Sequence, residues 1–264
     1  MPSANALRLQ IERTLASRFP SALTPVPRTV RECATVGIPE IDSLLEGGLP
    51  VGAISEIVGP ASSGRTCLAL SFVAQRTNAG QVCAWVDVGN ALDPESGAAC
   101  GVNLQQLLWV RCRSAAVAQA KGKSWSKFES RLDQAMRATD LLLQAGGFAA
   151  IVVDMGDTPA EHGRRIPLAT WYRFRQAADQ CRSCLVVLGK TTYAQSSAAV
   201  VLECSPSPTQ NSERTILDGR AFDVRLTREK LATPLGTIRK PPASAWTAQS
   251  PWTAQSAWST GTKP

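Results

Sequence analysis

Hydrophobic residues recur along the chain at two spacings, which predict strands and helices in alternation. Short apolar runs typical of strands lie at 53–58, 81–87, 107–110, 149–154, 183–188 and 198–204, with an alternating run at 222–227. Apolar residues at helical spacing lie between them, at 37–49, 67–79, 128–145 and 167–182. This order predicts an α/β fold in which helices cover both faces of a mostly parallel central sheet.

The two ends of the chain depart from this alternation. Apolar residues recur at every fourth position from Leu7 to Phe19, which predicts an amphipathic helix that the following prolines end. At the other end, W-T-A-Q-S occurs twice in a stretch without acidic residues, which predicts disorder. Docking in a partner groove, stacking on unpaired bases and an unselected extension all stay open for this tail. We divide the chain into an N-terminal helix with a proline-rich linker (1–35), a core (36–240) and a disordered tryptophan-repeat tail (241–264).

The turn after the first core strand carries a chemical signature. Residues 59–66 read G-P-A-S-S-G-R-T, which matches the phosphate-binding loop G-x-x-x-x-G-K-[ST] except that Arg65 replaces the lysine. Backbone N–H groups and the N-terminus of the next helix hold an anion in such a loop, and Thr66 keeps the hydroxyl that would meet Mg²⁺. A guanidinium is a wide planar group in place of a compact ammonium, so we expect it to hold phosphate in a different position. The alternative is a Gly-Pro-Ser turn that enters an ordinary helix.

A second signature lies further along the chain. Residues 149–154 read A-A-I-V-V-D, a hydrophobic strand that ends in Asp154, like the Walker B strand of nucleotide-binding proteins. A parallel strand buried on both faces would deliver this carboxylate to the carboxyl edge of the sheet, where such folds bind ligands. The two signatures together favour a nucleotide-binding fold over a simple turn.

Composition narrows the class of protein. The chain has 264 residues, 44% of them hydrophobic, and a formal net charge of +7, which permits an anionic partner such as nucleic acid. No run approaches the roughly 18 uncharged apolar residues of a membrane span, and the N-terminus lacks a signal-peptide hydrophobic region, so we expect a cytoplasmic protein. The eight cysteines mostly lie in apolar runs, as small buried hydrophobic residues do. Because the chain has only one close pair of cysteines and a single histidine, His162, we do not expect a zinc site and assign no metal ligand.

In combination, these segments resemble the core of the RecA superfamily over residues 37–236. Within the superfamily the chain most resembles the ImuA family, through L-L-W-V-R-C at 107–112 and A-T-D-L-L-L-Q-A-G-G-F at 138–148. That resemblance implies a cytoplasmic role in DNA-damage-induced (SOS) mutagenic translesion synthesis. It also implies an ImuB-like Y-family polymerase homologue and an error-prone C-family DNA polymerase as partners. The superfamily resemblance rests on G-G-L-P at 47–50, E-I-V-G-P-A-S-S-G-R-T at 56–66, V-D-V-G-N-A-L-D-P at 86–94, the strand to Asp154, and T-R-E-K-L-A-T-P-L at 227–235.

The departures from RecA concern the chemistry of the site. Gly89 stands where RecA has the glutamate that activates water, Ser96 where it has a base-stacking tyrosine, and Lys190 where a glutamine senses the γ-phosphate. Because glycine has no side chain that could accept a proton, no catalytic residue is assigned. The resemblance then implies no required cofactor and at most weak Mg²⁺–ATP binding. The candidate nucleotide-binding residues are Gly59, Ser62, Ser63, Gly64, Arg65, Thr66, Asp87, Asp93, Asp154 and Lys190.

Two sets of residues are candidates for contact with another protomer or a partner. Phe19 and Ala22 fit the F-x-x-A pattern that RecA-class recombinases use between protomers, and Leu15 lies on the same helical stripe. Packing of this helix on the chain's own core is the better interpretation. Arg228 and Lys230 match the basic pair that RecA presents to a neighbour's nucleotide, and a solvated basic edge explains them equally well.

Three functions stay open at this stage. The favoured one is a non-catalytic adaptor of translesion synthesis with a degenerate nucleotide site, for which RecA is a further candidate partner. The second is a slow DNA-dependent ATPase or recombinase. The third is a basic DNA-binding structural protein, with single-stranded DNA as a candidate ligand. The candidate DNA-binding residues are Lys121, Lys123, Lys127, Arg164 and Arg165.

Overall fold

The structure is a computed structural model, and it describes residues 32–113, 127–156, 158–206, 222–229 and 252–256. The strands are β1 (Cys33–Ala34), β2 (Leu49–Pro50), β3 (Ile54–Val58), β4 (Cys83–Asp87), β5 (Leu107–Arg111), β6 (Ala150–Asp154), β7 (Cys184–Gly189), β8 (Ala198–Pro206), β9 (Phe222–Glu229) and β10 (Trp252–Ser256). The helices are α1 (Pro39–Leu44), α2 (Arg65–Asn78), α3 (Pro94–Ala99), α4 (Lys127–Ala145), α5 (Ala160–Gly163) and α6 (Leu168–Cys181). Short 3₁₀ segments at Leu104–Gln106 and Gln195–Ser197 precede β5 and β8. Within these described ranges, no helix is long and apolar enough to cross a membrane.

An eight-stranded sheet in the order β10-β9-β8-β3-β7-β6-β4-β5 forms the centre of the fold. All neighbours from β8 to β5 are parallel, whereas β9 pairs antiparallel with β8. β1 and β2 form a separate antiparallel pair. Every residue of β3, β4 and β7 is buried, as expected for parallel strands covered on both faces. The predicted α/β class and mostly parallel sheet are therefore confirmed.

Two hydrophobic clusters fill the space between the sheet and the helices. In one cluster, the fully buried Leu68 and Phe72 of α2 pack together with Trp85 of β4. The other contains Trp171 and Phe174 of α6, whose rings meet edge to face with centroids 6.0 Å apart. Because these two residues are about one helical turn apart, they lie on the same buried stripe of α6. Burial of one such side chain stabilises the fold by roughly 1.5–3 kcal/mol.

Two segments add detail to the sequence predictions. The short helix predicted within 37–49 corresponds to α1, after which Glu46, Gly47 and Gly48 take φ angles of 56°, 128° and 119° and the chain enters β2. In the tail predicted to be disordered, the described residues 252–256 form β10, which pairs in parallel with β9, with Trp252 in register with Phe222. This segment contains tryptophan and threonine, which favour strands, and neither charge, glycine nor proline. Its backbone pairs with the outer edge of β9.

The described residues belong to one of two compact units of the chain. This unit consists of residues 31–231 and 239–264. The other unit, made of residues 1–30 and 232–238, lies outside the described residues, as does the predicted N-terminal helix. The domain boundaries drawn from the sequence therefore stay predictions.

Candidate functional site

The candidate phosphate loop, residues 59–64, connects β3 to α2. The strand register places Val58, the last residue of β3, between Gly189 of β7 and Glu203 of β8. The N–H group of Gly59 donates a hydrogen bond to the Gly189 carbonyl oxygen at 3.1 Å. The loop therefore starts at the carboxyl edge of the parallel strands, which is where open sheets of this kind bind ligands.

The backbone of this loop requires glycine at both ends. Gly59 has a φ of 155°, and a Cβ atom there would lie 2.1 Å from the carbonyl oxygen of Cys204. Gly64 has a φ of 87° and is the N-cap of α2, which begins at Arg65. The first N–H groups of an α-helix have no partner within the helix, so this sharp turn presents free donors beside the loop. The arrangement suits an anion.

Two side-chain atoms of the loop region are buried and have no hydrogen-bond partner among the described residues. One is Oγ of Ser63, a residue that is only 1% exposed. The other is Nη1 of Arg65. Buried polar atoms are almost always paired, so these donors indicate a place for a group rich in acceptors, such as phosphate. The neighbouring Ser62 and Thr66 are exposed to solvent.

The Arg65 side chain reaches from the first turn of α2 to the end of β6. A Cβ atom added to Gly156 would lie 3.1 Å from Oδ1 of Asp154 and 3.6 Å from Nη2 of Arg65, so both charged groups border the same small volume. The guanidinium also influences two other groups. Burial raises the pKa of the Cys204 thiol to about 12 and raises the pKa of the Tyr193 phenol, and the positive charge of Arg65 opposes both increases. Arg65 is therefore a central charge of the site.

Two aspartates end neighbouring strands, with Asp87 of β4 in register with Asp154 of β6. Asp154 is partly exposed, and its Oδ1 accepts a backbone N–H hydrogen bond at 2.9 Å from two residues further on. Asp87 is fully buried, and its carboxylate accepts hydrogen bonds from the N–H groups of Ala91 at 3.0 Å and Leu92 at 2.9 Å and from Nε1 of Trp109 at 3.2 Å. Asp87 thus fixes the segment after β4, whereas Asp154 is open to the site. A nucleotide contact of Asp87 stays a prediction.

The other predicted nucleotide-binding residues lie on exposed segments. Asp93 is the N-cap of α3 and accepts hydrogen bonds from Oγ of Ser96 at 2.6 Å and from its N–H group at 3.1 Å. These hydrogen bonds, the hydroxyl first, lower the pKa of the Asp93 carboxyl. Lys190 is exposed and directly follows β7. Gly89 lies in the segment after β4 that Asp87 holds.

The sequence analysis missed a buried carboxylate next to the phosphate loop. Glu56 of β3 is fully buried, and its Oε1 accepts hydrogen bonds from the N–H groups of Tyr193 at 2.6 Å and Ala194 at 2.8 Å. Burial raises the pKa of Glu56, while these hydrogen bonds and the positive charge of Arg228 oppose the increase. Glu56 thereby joins the segment after β7 to the strand that carries the phosphate loop. An acid inside the otherwise apolar run was the signal that could have identified it.

Of the residues predicted to contact a partner, the structure describes only Arg228. Its guanidinium donates a hydrogen bond to the carbonyl oxygen of Gln195, in the same segment that Glu56 holds. Gln195 has a φ of 46°, which is uncommon for a residue other than glycine. Arg228 therefore has a contact within its own chain. The residues that lie outside the described ranges are Leu15, Phe19, Ala22 and Lys230.

The predicted DNA-binding residues that the structure describes follow α5. Arg164 and Arg165 are both exposed, and Arg165 lines a cavity between α4 and α6 together with Arg137 and Arg173. The latter two are ion-paired with aspartates of α4 at 2.9 and 3.2 Å, so part of the positive charge there is already offset. The remaining candidates are not described: Lys121, Lys123 and the side chain of Lys127.

Part of the chain is similar in sequence to known proteins. Residues 26–122, which include the phosphate loop, match the family model of the RecA N-terminal domain. RecA from Pseudomonas fluorescens is 42% identical over 108 residues, which cover 41% of this chain and 26% of that protein. RecA from Crocosphaera subtropica is 43% identical over 99 residues, which cover 38% of this chain and 28% of that protein. These matches support membership of the RecA superfamily.

The RecA-like fold extends beyond the region of sequence similarity. The solved structure of the RadB recombinase superposes with a TM-score of 0.50 at 18% identity, over 72% of this chain and 94% of that one. In contrast, the matched region spans only 26% of the length of the Pseudomonas RecA.

Proposed function

We propose that this RecA-like protein is a non-catalytic adaptor of DNA-damage-induced mutagenic translesion synthesis that bridges or regulates error-prone polymerases. The observation that carries the proposal is the position of Arg65, which replaces a phosphate-loop lysine and whose guanidinium borders the same small volume as Oδ1 of Asp154. The fold is retained while the chemistry of the site is altered. A protein with those two properties binds partners through an inherited shape and does not turn over nucleotide.

The loss of catalysis follows from the chemistry of phosphoryl transfer, which depends on positioning and electrostatics. Gly89 cannot accept a proton from water, and the oxygens of the nearby Asp87 already accept three hydrogen bonds. Loss of a general base alone costs about 10²–10⁴-fold in rate. We therefore expect ATP turnover to be negligible, with at most weak nucleotide binding.

The partners of the adaptor follow from its resemblance to the ImuA family. They are an ImuB-like Y-family polymerase homologue and an error-prone C-family DNA polymerase. RecA is a further candidate, because the fold is RecA-like. The stretch 107–112, which carries part of the resemblance, includes β5, the last strand of the described sheet at that end. Leu108 of β5 is 45% exposed, and an edge strand with an exposed apolar side chain suits a protein partner.

Hydrolysis and capture assays test the proposal together. The purified full chain is incubated with Mg²⁺–ATP, with and without single-stranded DNA, and phosphate release is measured. We expect no turnover above background, and we expect immobilised protein to retain an ImuB-like partner or RecA. Capture of neither partner would remove the adaptor function. DNA-stimulated turnover that Asp154→Ala abolishes would instead identify a slow DNA-dependent ATPase.

Direct DNA binding is a second candidate function, favoured by the exposed Arg164 and Arg165. Affinity for labelled single-stranded DNA would be measured over a series of salt concentrations. If these arginines contact phosphates, the affinity falls steeply with salt, and Arg164→Ala with Arg165→Ala reduces the slope of log K against log salt by about 1.4 units for two contacts. No measurable affinity at low salt would exclude this function.

A further inference from the structure

The RecA-like fold implies a Mg²⁺–ATP site, and the residues present do not fit the ion. In phosphate-loop proteins, the loop threonine and the Walker B aspartate hold Mg²⁺, directly or through water, while the lysine contacts phosphate. Here the corresponding aspartate is Asp154. The position that a Cβ atom on Gly156 would take lies 3.1 Å from Oδ1 of Asp154 and 3.6 Å from Nη2 of Arg65. The guanidinium therefore supplies positive charge in the same small volume that the carboxylate borders, where a metal ion would otherwise be attracted.

The rest of the loop still has the properties of an anion site. Oγ of Ser63 is buried without a hydrogen-bond partner among the described residues, and so is Nη1 of Arg65. The N-terminus of α2, whose first residue is Arg65, lies at the same place, and the first N–H groups of a helix have no acceptor within the helix. A guanidinium binds phosphate oxygens with two parallel hydrogen bonds, so Arg65 can neutralise a phosphate without a metal ion.

We propose that this site binds the phosphates of a nucleoside polyphosphate without Mg²⁺, and that the guanidinium of Arg65 takes the place of the ion. The inference rests on the proposed non-catalytic function, because a site without the metal can hold a nucleotide, whereas phosphoryl transfer in phosphate-loop enzymes relies on the bound metal ion. Bound Mg²⁺ occupies phosphate oxygens that the guanidinium would otherwise reach. Metal-free ATP is therefore the better ligand.

The test compares the affinity of the full chain for ATP in excess EDTA and in excess Mg²⁺, by titration calorimetry. We expect ATP to bind in EDTA at least as tightly as in Mg²⁺. Arg65→Lys restores the compact ammonium of an ordinary phosphate loop and should make binding in Mg²⁺ tighter than in EDTA by about tenfold or more. Arg76→Lys, the same substitution in the last turn of α2 and outside the loop, is the matched control and should behave like the wild type. Circular dichroism confirms that each variant is folded.

Each outcome decides the inference separately from the adaptor function. ATP binding that is tighter in Mg²⁺ by about tenfold, without turnover, overturns the inference and leaves the adaptor function intact. No ATP binding in either solution at millimolar nucleotide also overturns the inference. Metal-independent binding supports it even if no polymerase or RecA is captured, in which case only the adaptor function fails. Mg²⁺-dependent turnover of ATP would overturn both the inference of metal-free binding and the non-catalytic adaptor function.

Discussion

Replacement of Gly59 by alanine tests whether the phosphate loop is closed against β8 as the structure describes. The added Cβ atom would lie 2.1 Å from the carbonyl oxygen of Cys204 and 2.7 Å from Oγ of Ser63. Both separations are far shorter than real Cβ contacts, and the first is with backbone, which cannot rotate away. The alanine must also adopt a φ of 155°, in a region that is almost exclusive to glycine.

The expected loss of stability has two parts. The unusual backbone conformation costs alanine about 1–3 kcal/mol, and overpacking in a well-packed interior costs typically about 1–3 kcal/mol. We therefore expect Gly59→Ala to lower the free energy of unfolding by about 2–6 kcal/mol. Gly80→Ala is the matched control, because Gly80 has a φ of 74° and a Cβ atom there would meet no atom within 4 Å. This control should lose only the conformational part, about 1–2 kcal/mol.

Urea denaturation followed by circular dichroism measures the free energy of unfolding of both variants. An unchanged m-value shows that the substitution altered stability and not the extent of unfolding. The difference between Gly59→Ala and Gly80→Ala reports the contact with the Cys204 carbonyl. If the two variants lose the same stability, the loop does not pack against β8 and the geometry derived for the phosphate site is wrong.

Three further predictions concern the groups around the site. Because burial raises the pKa of Glu56, the folded chain keeps this proton to higher pH than the unfolded chain, so stability falls as pH rises above about 4.3. Glu56→Gln should remove the part of this decrease in unfolding free energy that comes from Glu56, as measured by urea titrations at several pH values. The same pH dependence in the variant and the wild type would contradict the raised pKa of Glu56. Asp87→Asn leaves at least one of three N–H donors without its acceptor and should cost about 1–3 kcal/mol in the same assay, whereas a neutral result would contradict its structural role. Arg228→Ala should speed amide hydrogen exchange in residues 190–197, and Arg225→Ala, exposed on the same strand, should not. Equal exchange in the two variants would contradict the role of Arg228.

Much of the candidate site was visible in the sequence because its requirements are local. In the turn at 59–66, Gly59 takes a φ of 155° against the Cys204 carbonyl oxygen and Gly64 takes a φ of 87°, so both positions favour glycine. Asp154 was identified because a strand buried on both faces reads as an apolar run that stops at the first charged residue. These signals do not depend on which strands become neighbours.

Other parts of the site depend on contacts that the sequence pattern does not contain. The acceptor for the Tyr193 and Ala194 N–H groups is Glu56, which is 137 residues away from Tyr193. The guanidinium of Arg228 contacts a carbonyl oxygen 33 residues away, whereas the sequence had left open a contact with another protomer and a solvated basic edge. Such partners are brought together only by the order of strands in the sheet.

The sequence by itself determined the α/β class, the positions of the parallel strands and the phosphate-loop turn, because periodic burial and glycine backbone geometry act over a few residues. Only the tertiary structure decided where the charges of the site lie. The altered residue at position 65 was evident in the sequence, but the approach of its guanidinium to Asp154 was not. A long side chain adopts the rotamer that its packed neighbours permit, and those neighbours come from strands that are distant in the chain.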